Sequence, residues 1–121
     1  GGRRTNTPIP FANTVGRTNV YDFNAGSWSN AADIPTERAG TMTVAIGDEV
    51  IVIGGESTAS NNAHRQVEAF NVNTRRWRSL DQLNTARHGG ATGVLNGKVH
   101  VVAGNITRGG GRETSAHEVL R

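Results

Sequence analysis

Cysteine is absent from the 121 residues. The chain therefore holds no disulfide, no thiolate metal site and no cysteine nucleophile. That absence alone fixes no redox compartment. Lysine is almost absent too, with Lys98 as its single representative. The excess of positive charge, formally +3, is carried by arginine, which favours bidentate contacts with carboxylate or phosphate. The arginines are scattered, and only Arg75, Arg76 and Arg78 cluster. No basic stripe or nucleic-acid motif is present, so a nucleic-acid partner is not expected. No apolar run approaches the roughly 20 residues of a membrane helix. A signal peptide is also missing, and the chain starts at Gly1 rather than Met, as expected of a processed chain or a piece of a longer one.

What is present is repetition. Sliding the chain until Trp28 falls on Trp77 aligns many other residues without a gap. Tyr21 meets Phe70, Asn24 meets Asn73, Thr36 meets Thr85, and Arg38 meets Arg87. Gly40 meets Gly89, Val50 meets Val99, Val52 meets Val101, and Gly55 meets Gly104. A third copy opens at His117-Glu118-Val119-Leu120, which matches Val67-Glu68-Ala69-Phe70. The units run 18–66, 67–115 and 116–121.

Within each unit, short Val/Ile-rich runs alternate with turn signals. Thr41 to Ile46 and Glu49 to Ile53 meet at Gly47-Asp48. Ala91 to Leu95 and Lys98 to Val102 meet at Asn96-Gly97, a pair that favours positive φ at both turn positions and so marks a tight hairpin. Arg65 to Asn71 and Arg76 to Leu80 form a second hairpin around Asn73-Thr74, and Thr18 to Phe23 with Ser27 to Ala31 repeat it. The apolar runs are too short for helices and too apolar for a sheet wetted on one side. Each unit is thus expected to supply four antiparallel strands, a to d, in sheets covered on both faces.

A period near ~50 residues resembles the Kelch repeat. The resemblance rests on Val50-Ile51-Val52-Ile53-Gly54-Gly55, on Val67-Glu68-Ala69-Phe70-Asn71 with Trp77 beyond it, and on Asn84-Thr85-Ala86-Arg87-His88-Gly89. It covers most of the chain from Val20 onward. Tyr21, Trp28, Gly54, Gly55, Phe70, Trp77 and Gly104 are its structural repeat residues. Ala103 departs from it by replacing the first glycine of the second doublet, which disfavours a positive φ there. The resemblance implies an all-β fold of Kelch-type β-propeller blades, a partial propeller of about two blades. Trp28 and Trp77 are then expected on outer strands, packed between blades. Gly1-Gly2 resemble the end of a strand b, and Arg121 falls inside a strand c. A complete propeller has roughly 4–8 blades. The remaining blades are expected from a longer chain or from self-association, although joining copies head to tail leaves one surplus strand.

Alternation along the sheet places the b–c loops and d–a connections together on one face, and these are the long ones. Binding groups concentrate on such loops. The ligand-binding candidates are Glu37, Arg38, Glu56, Arg87 and His88. Arg38 and Arg87 are expected to brace the loops through carboxylates within them. His88, opposite Ala39 in the other unit, is expected in a satisfied polar contact. His64, His100 and His117 show no metal-ligand spacing, so no metal or cofactor is expected. Gly109-Gly110-Gly111 lacks the features of a phosphate loop and is expected to be a flexible tip.

The resemblance implies a non-catalytic scaffold for a protein or carbohydrate partner. Some similar propellers belong to the galactose oxidases and sialic acid mutarotases. Copper-radical oxidase chemistry needs a cysteine-crosslinked tyrosine, and this chain has no cysteine. A mutarotase-like reading keeps Glu37, Arg87 and His88 as acid–base groups. A purely structural module of a larger secreted protein is the third reading. The segment from Thr85 to Leu120 resembles bacterial secreted Kelch proteins, which points outside the cell.

Overall fold

In a computed structural model, described over residues 1–4, 8–9 and 11–120, every regular element is a β-strand. The strands are β1 (Thr18–Asp22), β2 (Ser27–Ala31), β3 (Met42–Ile46), β4 (Glu49–Ile53), β5 (Val67–Asn71), β6 (Arg76–Ser79), β7 (Ala91–Leu95), β8 (Lys98–Val102) and β9 (His117–Leu120). They form three antiparallel sheets in the orders β1-β2, β3-β4-β5-β6 and β7-β8-β9. The middle sheet is a whole four-stranded blade. Each repeat period therefore takes its strands from two neighbouring sheets. Arg121 lies outside the described residues.

The strands largely fall where the apolar runs predict, with shorter ends. Arg65 and Gln66 stay outside β5 because the Gln66 amide turns back, accepting the Arg65 N–H at 3.1 Å and a bond from His64. Asn96 and Gly97 both take positive φ, 52° and 73°, as the tight hairpin requires. The outer hairpins share another device. Asp22 Oδ1 accepts the amides of Asn24 and Ala25, and Asn71 Oδ1 accepts those of Asn73 and Thr74. Both hairpins then pass through the left-handed region, at Gly26 in one and at Arg75 in the other.

The core lies between the second and third sheets. Met42, Ile51, Ile53, Val67, Ala69 and Leu83 face Val99 and Val101 across it. At roughly 25 cal/mol per Å2 of apolar surface, this contact is what a lone sheet cannot supply for itself. Between the first and second sheets, Trp77 packs on Phe70 at 5.2 Å and donates its Nε1–H to Ala32 O at 2.8 Å. Arg75 reaches Ser29 and Asn30 of the same neighbour. Trp77 thus packs between blades, as expected. Trp28 makes the same aromatic pair, with Tyr21 at 5.2 Å, but is 68% exposed. No described sheet lies on its outer side, so the interblade half of its expected environment is missing among the described residues.

The glycine doublets create the seams. Gly55 N–H donates to Arg87 O at 2.9 Å, so the strand-b end of one blade touches the entry segment of the next. A Cβ on Gly54 would sit 2.2 Å from that same carbonyl. Gly2 repeats the bond onto Arg38 O at 3.1 Å. Ala103 nonetheless adopts φ 57°, matching Gly54 at 60°: the fold imposes the left-handed conformation on a residue that resists it.

Candidate functional site: the loop face

The entry arginines are buried in the blades. Arg38, wholly inaccessible, donates to Gly54 O at 2.6 Å, Thr36 O at 2.7 Å and Val52 O at 3.0 Å, and pairs with Glu68 at 2.5 Å. Burial lowers its pKa, while the hydrogen bond and charge of Glu68 oppose that shift. Arg87 repeats the arrangement one blade on, pairing with Glu118 and donating to Ala116 O at 2.6 Å. Its Nε finds no partner among the described residues, so this copy is less completely satisfied. Bracing by carboxylate is as expected, but the carboxylates stand on the third strand of each blade, not in the loops. A loop carboxylate would leave the guanidinium at the wet surface, whereas a strand carboxylate draws it between the sheet layers.

Glu118 shows how tightly this joint is built. Burial would raise its carboxyl pKa. The amides of Asn84 and Thr85 and the Arg87 guanidinium outweigh that effect and hold it below the ordinary value. Arg38 and Arg87, with every contact pointing inward, support the loop face without lining it.

Glu56 and His88 do come together. Glu56, almost fully buried, meets His88 Nε2 at 3.4 Å and Arg3 at 3.4 Å, and accepts the Gly109 amide at 2.7 Å. His88 also bonds Thr107 O at 2.8 Å, the satisfied contact expected of it. The glycine tip is therefore tied to the previous blade's loop, where the sequence suggested a flexible tip. A buried carboxylate needs donors, and a backbone amide freed by glycine conformations provides one. Arg108 adds a cation–π contact on Phe11 at 4.5 Å. Glu37 stands apart. It is exposed, at a smaller cleft shared with Arg4, Arg17 and Asp33.

A concavity lies beside these joints, between the 56–64 loop and the segment entering β7. It encloses about 630 Å3 and is lined by Ser60, Asn62, Gln66, Gln82, Asn84 and Thr85, with Arg65 at its wall. Neutral amides and hydroxyls supply its polar groups beside Ala59, Ala63, Ala86 and Ile106, and each amide offers both donors and acceptors. Gly104, by contrast, is a seam residue: a Cβ there would meet His88 O at 2.6 Å.

One relay gave no signal in the sequence. His64 Nδ1 lies 3.1 Å from Gln66 Oε1, and His64 Nε2 lies 2.7 Å from Ser57 Oγ. Gln66 Oε1 also accepts the Arg65 amide, which orients it as an acceptor. His64 Nδ1 therefore donates, and the Ser57 hydroxyl donates to Nε2. Burial lowers the His64 pKa, favouring the neutral ring this requires. The order hydroxyl, imidazole, amide is one that activates nucleophiles. Here Ser57 is 4% exposed and its oxygen also accepts the Ala59 amide at 3.2 Å, so the relay braces the loop instead. No group of three or more metal-ligating side chains occurs among the described residues.

Repeated antiparallel blades, seamed by glycine doublets and clamped by entry arginines, define the chain as β-propeller blades. The Kelch motif matches residues 37–84. An F-box/kelch-repeat protein of Arabidopsis thaliana is 30% identical over 80 residues, which cover 66% of this chain and 19% of that protein. The chain is a Kelch-repeat protein, and its sheets are Kelch blades of a partial propeller. It spans about a fifth of the length of the curated relative it matches. Kelch repeats generally mediate protein interaction. No described helix is long and apolar enough to cross a membrane.

Proposed function

We propose that the chain is a non-catalytic scaffold whose loop face holds an extended peptide segment of a protein partner. The observation that carries this reading is the amide-lined cleft. Ser60, Asn62, Gln82 and Asn84 present neutral donors and acceptors in a concavity of about 630 Å3. A polypeptide backbone offers the complementary alternation of N–H and C=O. Arg65, at the same wall, favours an acidic side chain on the partner. The joints beneath, at Glu56 and at Ser57–His64–Gln66, hold the loop in one conformation and so lower the entropy lost on binding. The remaining blades come from a longer chain or from further copies.

A second reading, a carbohydrate partner, is favoured by the same amides, which also match sugar hydroxyls. Its mutarotase-like form draws less support. Arg87 is committed to Glu118, His88 to Thr107, and Glu37 opens onto another cleft. The test is to probe a displayed peptide library and a glycan array with the full chain, beside a variant carrying Asn62→Ala, Gln82→Ala and Asn84→Ala. Selection of acidic peptides that the variant fails to hold supports the proposal. Glycan hits lost in the variant transfer the cleft to the carbohydrate reading. Binding that the variant retains removes the cleft from the function.

A further inference from the structure

The third sheet carries two imidazoles where the blade before it carries aliphatic side chains. In the repeat, Ile51 and Val67 of the second sheet correspond to His100 and His117 of the third. Ile51 and Val67 are buried in the core. Blade packing therefore asks for hydrocarbon at these positions, and two histidines are not explained by it.

Strand register brings the two rings together. His100 opposes Val119 and Val102 opposes His117, so the histidines are diagonal neighbours on one face of the sheet. His100 Nδ1 and His117 Nε2 are 2.9 Å apart, with ring centroids at 5.2 Å and planes inclined by 26°. His117 is exposed and His100 half-buried. Two nitrogens bound to one metal at about 2.0–2.1 Å stand roughly 2.9 Å apart at a right angle and about 3.4 Å apart at the tetrahedral angle. The separation found matches the right-angled pair. Imidazole suits copper, nickel and zinc, and right-angled ligation is the geometry of Cu(II) and Ni(II).

We infer that His100 and His117 form a chelating pair for a divalent transition metal, with Cu2+ bound most tightly. No third His, Cys, Asp or Glu joins them among the described residues. In the free pair one ring nitrogen donates its hydrogen to the other. On loading, that proton moves to the far nitrogen of its own ring. Each ring then turns a lone pair to the metal. Lys98, on the same strand and face, sets a limit on the affinity through its charge.

The test is calorimetric titration of the full chain with Cu2+ alone at neutral pH, paired with electron paramagnetic resonance. The expected result is one Cu2+ per chain with two equatorial nitrogens in the hyperfine pattern. Either His100→Gln or His117→Gln should weaken binding by about tenfold or more, with unchanged circular dichroism. His64 and His88 stay in place in all variants, buried and engaged elsewhere. Saturable binding that survives the double variant overturns the inference. So does a spectrum showing a single nitrogen, or no saturable binding at all.

Discussion

Replacing Arg38 with alanine removes a charge around which the middle blade is organised. The side chain makes contacts to Gly54 O, Thr36 O, Val52 O and Glu68, all away from solvent. Its loss leaves Glu68, 3% exposed, as an uncompensated buried carboxylate and strips four carbonyls, those of Gly54, Thr36, Val52 and Gln66, of a donor. Breaking a buried pair from one side costs about 3–5 kcal/mol, and the orphaned carbonyls place Arg38→Ala at the upper end. That is much of the roughly 5–15 kcal/mol that holds a typical domain. Glu68→Gln keeps an oxygen for the guanidinium and can donate its NH2 to the Thr36 hydroxyl, so it should cost less, about 1.5–3 kcal/mol. The double variant Arg38→Met/Glu68→Leu removes both charges and should cost less than Arg38→Ala alone. Urea unfolding followed by tryptophan fluorescence reads all three. The reasoning is refuted if Arg38→Ala falls within about 1 kcal/mol of the parent, or if the double variant equals the sum of the matching single ones.

Three other outcomes follow from the same geometry. Ala103→Gly relieves a left-handed alanine and should stabilise the chain by about 0.5–1 kcal/mol, seen as a higher urea midpoint. Gly54→Ala pushes a Cβ into the Arg87 carbonyl, which is backbone and cannot swing away; it should cost about 3 kcal/mol or more and lower the thermal midpoint accordingly. Acidification should destabilise the fold through two groups with depressed pKa values. Glu118 stabilises when ionised, and its contribution is lost as pH falls below the ordinary carboxylate range and through its lowered value. His64 stabilises when neutral, and its contribution falls away below its ordinary pKa of 6.5 as the buried ring is forced to charge. Unfolding free energy measured across acidic pH should decline on acidification, and the His64→Gln variant should flatten the part of the curve nearest neutrality.

The parts legible in the sequence were those that repeat or lie close along the chain. Asn96-Gly97 announces its own turn, and the strand runs announce themselves by length and branching. The correspondence of Glu68 with Glu118 even contained the partners of Arg38 and Arg87, but a loop carboxylate looked nearer in sequence than one on a distant strand. Glu56 and His88 could be named as loop residues. Their meeting with Gly109 could not, since it depends on one blade's loop crossing another's. Ser57, His64 and Gln66 were silent because no repeat partner echoes them. Arg75 was hidden for a different reason: the hairpin forces a left-handed residue where Gly26 stands in the other copy, and an arginine gives no hint of that conformation.

The arginine that clamps a blade from within also lends its carbonyl to the glycine of the blade before. Arg87 is tied to Glu118 by its side chain and to Gly55 by its backbone, and Arg38 is tied likewise to Glu68 and Gly2. Local melting and loss of contact with the neighbour therefore pass through a single amino acid. A fault in one module spreads sideways, and the array should come apart as a cooperative whole, with nearest-neighbour coupling as strong as the modules themselves.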